Sequence, residues 1–254
     1  MLAPAAFAQQ VVREQPVTLQ LDVDTQGQIA AAKVMDPQPL LMPGAGRLVK
    51  LPPRYGPLPP VLAQAAEQVA SKWRFRPVLA SGKPATGRTW ATAMLQVVKR
   101  GDGNFGVDLR YLRNGPYMDY AVAPRYPQRM VKLNKSGALA VEYMVQPDGT
   151  IKGFRVLKAA GAATSHQGAF EDAVREALSR CRELPLLVDG KAVVTRVRTA
   201  YLFTADLPKE DADRLSRQVG DAVDPKVSGD SGTAPLASGE AVAIDSPFQQ
   251  QSAG

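Results

Sequence analysis

The chain has 254 residues, 45% hydrophobic and 22% charged, an ordinary globular composition long enough for one large domain or two small ones. A single cysteine, Cys181, and a single histidine, His166, exclude an intrachain disulfide, a cysteine metal cage and a two-histidine metal site. The net charge is +7, but residues 206–254 carry nine acidic against four basic side chains, so the remainder is near +12. Such a body favours anionic partners, or else a solvated surface tuned for solubility.

Residues 1–8 are apolar and end in Ala6-Phe7-Ala8, the small-x-small pattern cut by signal peptidase. Without a basic stretch and most of an apolar one, they read as the remnant of a secretory signal. No later segment approaches the roughly 20 consecutive apolar residues that span a bilayer.

Val17, Leu19, Leu21 and Val23 alternate with polar residues, which predicts a half-buried strand. Gly27 turns the chain into a second strand over 29–35. Residues 36–57 are crowded with proline and glycine and are expected to form a long exposed loop. Pro59-Pro60 suits the first turn of a helix running to about Trp73, with Leu62, Ala66, Val69 and Trp73 on its buried stripe. Pro77 ends that helix, Ser81-Gly82-Lys83 turns, and residues 88–98 form a third strand. The first module thus spans 9–100 in the order β-β-α-β.

Residues 101–120 leave two readings open. Phe105, Val107, Leu109 and Tyr111 alternate as an extra edge strand or hairpin would, while the glycines at 101, 103 and 106 suit a linker equally. From 121 to 205 the first pattern recurs. Leu139, Val141, Tyr143 and Val145 alternate, Pro147-Asp148-Gly149 turns, and a second strand follows. A helix over 170–181 buries Phe170, Val174, Ala177 and Cys181, and a last strand covers 193–203. The helix and third strand recur at a spacing of 108 and the first hairpin at 122, so the first copy carries about 14 extra residues in its Pro-rich loop. Residues 206–254 are expected to be largely disordered, apart from a short helix near 208–219.

Tyr126-Pro127, the Val141–Val145 strand, Pro147-Asp148-Gly149, the Phe170 helix and Gly190-Lys191 together resemble the C-terminal domain of the TonB family. Trp73-Arg74-Phe75-Arg76-Pro77 and Gly82-Lys83 resemble its helix end more closely than Cys181-Arg182-Glu183-Leu184-Pro185 does. The resemblance covers about residues 15–98 and 121–205. It implies an α+β fold, a tandem pair of small antiparallel sheets each packed on one helix. It also implies a periplasmic, non-enzymatic module that grips a peptide of an outer-membrane transporter or another envelope protein by strand addition. Peptidoglycan is a second class of partner. The family's transmembrane anchor and long periplasmic spacer have no counterpart in this sequence.

The third strand of the second copy is the candidate peptide-binding edge. Val197, Thr199, Tyr201 and Phe203 should face the helix, and Val194, Arg196, Arg198, Ala200 and Leu202 the other way. Free backbone groups there could pair with an extended peptide while the arginines attract acidic groups, or the arginines simply protect the edge by charge. Trp73 and Cys181 are expected in the helix cores, and Tyr126-Pro127 to fix the lead into the first strand or to dock a peptide. The carboxylates are scattered, and Gly101–Gly106 lacks the lysine-serine pattern of a phosphate loop, so no catalytic, cofactor or metal residues are assigned. Two alternatives stand beside the interaction module. A basic nucleic-acid-binding protein is weakened by few stacking aromatics among the basic residues. A full energy transducer would need a transmembrane N-terminus.

Overall fold

The computed structural model describes residues 10–43, 48–51, 53, 55–100, 104–224 and 241–251. The signal remnant at 1–8 lies outside these residues. The fold is α+β, with mostly antiparallel sheets and four helices among the described residues.

The first sheet is centred on β1 (Gln10–Val23), which pairs antiparallel with β2 (Ile29–Val34) on one side and β7 (Gly87–Lys99) on the other. Its alternating apolar face meets α1 (Pro60–Ala70), so Leu19, Leu21, Leu95, Ala66 and Ala70 are buried together. The hairpin turn requires Gly27: φ is +81°, and a Cβ there would lie 1.9 Å from the Phe75 carbonyl oxygen.

The second sheet repeats this order. β10 (Gly137–Val145) lies between β11 (Ile151–Gly161) and β15 (Thr195–Phe203), with α3 (Gln167–Arg180) against one face. The registers agree as well. Leu19 pairs with Ala91 and Val141 with Thr199, related by the same spacings of 122 and 108 seen in the sequence.

Three expectations are corrected, and one open alternative is decided. The Pro-rich stretch is not wholly irregular: β3 (Leu40–Pro43) and β4 (Leu48–Leu51) form a hairpin, with Pro43 at a strand end where its missing N–H is tolerated. Helix α1 stops at Ala70, so its buried stripe is Ala66 and Ala70 with Leu62 and Val69 partly covered. Trp73 is only half-buried, edge-on to Tyr111, and Phe75 is the aromatic that enters the core. Between the two sheets, β8 (Phe105–Gly115) extends the first sheet along β7, resolving the linker-or-strand alternative over 105–115. Finally, the acidic tail contains regular structure. Helix α4 (Lys209–Val223) carries an apolar stripe, Leu215, Val219 and Val223, and lays it on the outer face of the second sheet over Ala138, Ala140 and Ala200. Ala138 and Ala140 alternate with the inward-facing residues of β10, Ala200 lies beside them on β15, and together they give α4 a flat seat. Further along the tail, residues 241–251 include β16 (Ala241–Ala243).

The two sheets are interleaved. β9 (Tyr117–Val122) joins β3 in parallel and β12 (Arg182–Leu184) antiparallel. Beside the short β5 (Val78–Ala80) and β6 (Lys83–Ala85) hairpin, β13 (Leu187–Val188) and β14 (Lys191–Ala192) add onto β7 of the first sheet. A five-residue helix, α2 (Gln128–Lys132), leads into β10.

Candidate peptide-accepting edge

β15 presents Val197, Thr199, Tyr201 and Phe203 to the α3 side, all buried. The opposite set is divided in its surroundings. Val194 lies ahead of the strand and is half exposed, Ala200 is fully covered by α4, and Leu202 is partly covered by it. Arg198 turns into the chain rather than outward. Its Nε donates to Glu142 Oε2 at 2.8 Å and its guanidinium also reaches the Ala222 carbonyl at 3.3 Å. Arg155 donates to the other oxygen of the same carboxylate at 2.9 Å. Burial pushes the Glu142 carboxyl up, but the hydrogen bonds from Arg198 and Arg155 outweigh it and hold the group below the ordinary carboxylate range.

The outer edge of β15 already carries a strand. β16 pairs antiparallel with it, Val197 opposite Ala243, Arg198 opposite Val242 and Thr199 opposite Ala241. Ile244 donates its N–H to the Arg196 carbonyl at 2.9 Å. By antiparallel alternation the next hydrogen-bonded pair is therefore Arg198 with Val242. Past that point the ladder passes to a side chain. The Arg196 N–H donates to Asp245 Oδ1 at 2.7 Å, and the Arg196 guanidinium lies 3.5 Å from Asp245 Oδ2.

The segment then crosses to the first sheet. Ser246 donates to Asn114 Oδ1 at 2.6 Å, and Phe248 is buried against Phe75 and Gly87 in the first core. Gln249 and Gln251 hydrogen-bond to Arg76 and Arg74.

The other edge of the second sheet is β11, which has no partner strand on its outer side among the described residues. It is guarded by exposed Lys152, Arg155 and Lys158, and it is broken by a bulge at Gly153, φ +65°. These are the devices that discourage strand addition.

Tyr126 and Pro127 stand at the start of this unit. Pro127 precedes the first turn of α2, and the Tyr126 hydroxyl lies 2.8 Å from the Lys135 carbonyl and 3.3 Å from that of Phe203, with its ring edge-on to Phe203. The pair ties the lead into β10 to the end of β15. Phe170, Val174 and Cys181 are buried behind them. The Cys181 thiol donates to the Ala177 carbonyl at 3.3 Å and accepts the Val122 N–H at 3.2 Å, and burial raises its pKa, so it remains a protonated packing group.

Sequence reading did not single out Glu183. It is 2% exposed, and its Oε1 accepts the Tyr143 hydroxyl at 2.6 Å. Burial pushes its carboxyl up to about 7 despite that hydrogen bond. A buried glutamate three residues past a helix end carries no sequence signal, because it is placed by β12 pairing with β9. Where the two sheets meet there is also a cavity of about 530 Å³, lined in part by Trp90, Tyr117, Tyr201, Cys181, Leu40 and Ala243.

Among the described residues no helix is long and apolar enough to cross a membrane, and no group of three or more His, Cys, Asp or Glu side chains converges as a metal site would.

Residues 122–204, from the last residue of β9 to just past β15, match the family described as Gram-negative bacterial TonB protein C-terminal. This supports one TonB C-terminal domain, which contains β10, β11 and β15 of the second sheet together with α2 and α3. Residues 1–121 lie outside the match. No curated protein matches the sequence.

Proposed function

We propose that the chain is a non-enzymatic interaction protein of the bacterial envelope, working in the periplasm, whose second sheet takes an extended peptide of an envelope protein along β15. Residues 10–99 are, in this reading, a second module of the same kind. Its support is the shared strand order and the agreement of register between the β1–β7 and β10–β15 pairs. The family match supports the TonB-like reading of residues 122–204.

The observation that carries the assignment is β16. An antiparallel strand sits on the outer edge of β15, while the opposite edge of the same sheet is guarded by lysines, an arginine and a bulge. Main-chain hydrogen bonds then supply affinity and the side-chain surroundings supply choice. The coupling to outer-membrane transport would rest on the partner's identity.

The test is affinity capture from periplasmic and outer-membrane fractions, with bound proteins identified by mass spectrometry and sedimented peptidoglycan assayed in parallel. An outer-membrane transporter or periplasmic protein is the expected catch. Recovery of neither an envelope protein nor peptidoglycan removes the assignment.

A further inference from the structure

We infer that the segment 241–251 is a resident occupant of the accepting edge, and that it spells out the peptide this edge selects. The partner is an extended peptide running antiparallel to β15, apolar where Val242 stands and acidic where Asp245 stands. This inference rests on the strand-acceptor reading above.

The resident residues show how each place meets the edge. Ala243 lies against β8, where the bare backbone of Gly115 leaves room for its methyl group, and on its other side it borders the cavity between the sheets. Ala241 packs against the α3-side core through Thr199's position in the ladder. Val242 points to the other side and packs with the α4 cluster. Ile244 closes the backbone ladder on the Arg196 carbonyl. The acidic residue then meets both the N–H and the guanidinium of Arg196, the one arginine of the pair not committed to Glu142. A carboxylate placed there gains a charge-assisted hydrogen bond that a neutral side chain cannot match.

The resident strand also regulates access. It is tethered at Phe248, so its effective concentration at the edge is high and a peptide in solution must displace it. Releasing β16 while keeping that anchor should open the site. Val242→Pro does so, because it removes the N–H that bonds Arg198 within the ladder.

The experiment titrates a fluorescent peptide carrying the sequence of residues 241–251 into the full chain and reads anisotropy, with circular dichroism as the check on folding. Val242→Pro should bind at least about tenfold more tightly than the unaltered protein. Changing the peptide's aspartate to lysine should weaken binding to that variant about fivefold. If Val242→Pro does not fold, Asp245→Ala in the chain serves as the weaker release and should shift affinity in the same direction.

Equal affinity of the unaltered and released proteins overturns the occupant role. Equal uptake of a scrambled peptide by the released protein overturns the selected pattern but leaves β15 a general strand acceptor. If a folded, released protein takes up no peptide at all, the strand-acceptor reading itself falls.

Discussion

Phe75 and Glu183 occupy matching places in the two sheets and do opposite chemical work. Each follows the helix of its unit, and each donates its backbone N–H to the hairpin glycine of the same sheet, Phe75 to Gly27 at 2.8 Å and Glu183 to Gly149 at 3.1 Å. Both glycines have positive φ, and at both a Cβ would strike the carbonyl oxygen of that same residue. The backbone lock is therefore common. The side chains are not: Phe75 adds a buried aromatic to the first core, while Glu183 places a carboxyl in a closed site where it accepts the Tyr143 hydroxyl. A lock made of backbone and glycine tolerates either, since it asks nothing of the side chain beyond the fit of what surrounds it. The first core spends that freedom on packing, and the second on a group that titrates.

The sharpest way to break the comparison is Phe75→Ala. It should cost about 3–5 kcal/mol, because the aromatic is 1% exposed and touches both Tyr111 and Phe248. Urea unfolding would show this as a lower midpoint with little change in slope.

Glu183 should give the next largest effect, and one that depends on pH. Its pKa rises from 4.5 to about 7 on folding, so between those values the folded chain holds a proton that the unfolded chain has released. Stability from this group is complete below about pH 4.5 and falls as the pH rises to 7, by up to about 3 kcal/mol. Glu183→Gln keeps a carbonyl for Tyr143 and should flatten that slope. A pH series of denaturation midpoints that is unchanged by this substitution would place the titrating group elsewhere.

The shared lock can be probed at its glycines. Gly27→Ala and Gly149→Ala should each lower stability by about 2 kcal/mol, and Gly27→Ala by more, since its contact would be 1.9 Å against 2.6 Å. Differential scanning calorimetry on the pair reads the order directly. The smallest effect should be Asp22→Asn. It loosens the part-exposed pair with Arg88 on the first sheet and should cost under about 1 kcal/mol, diminishing with added salt.

How much was legible in the sequence follows the range of the interactions. The alternating runs at 17–23 and 139–145, the positive-φ turns at Gly27 and Gly149, and the inward set of β15 are local patterns, and the structure places them as read. What the sequence hid was pairing between distant short segments. β13 is two residues long and β16 three, too short for any periodicity, and each is fixed only by the strand it meets. The candidate edge was legible as a strand with two faces. Its occupation by Ala241–Ala243 was not, because those residues follow a Ser/Gly/Ala-rich tract whose composition predicts disorder. Likewise α4 was foreseen as a short helix in a tail, since nothing local to 209–223 announces the row of alanines on β10 and β15 that it covers.

The strap that ends in Phe248 also imposes an order in time. The first sheet is made early in synthesis, yet one aromatic of its core is residue 248 and two of its edge pairs come from residues 187 and 188. As the chain emerges, β1, β2 and β7 can associate at once, but their core stays open until nearly the whole molecule has followed. A pause or a cut late in the chain therefore damages the part that was made first.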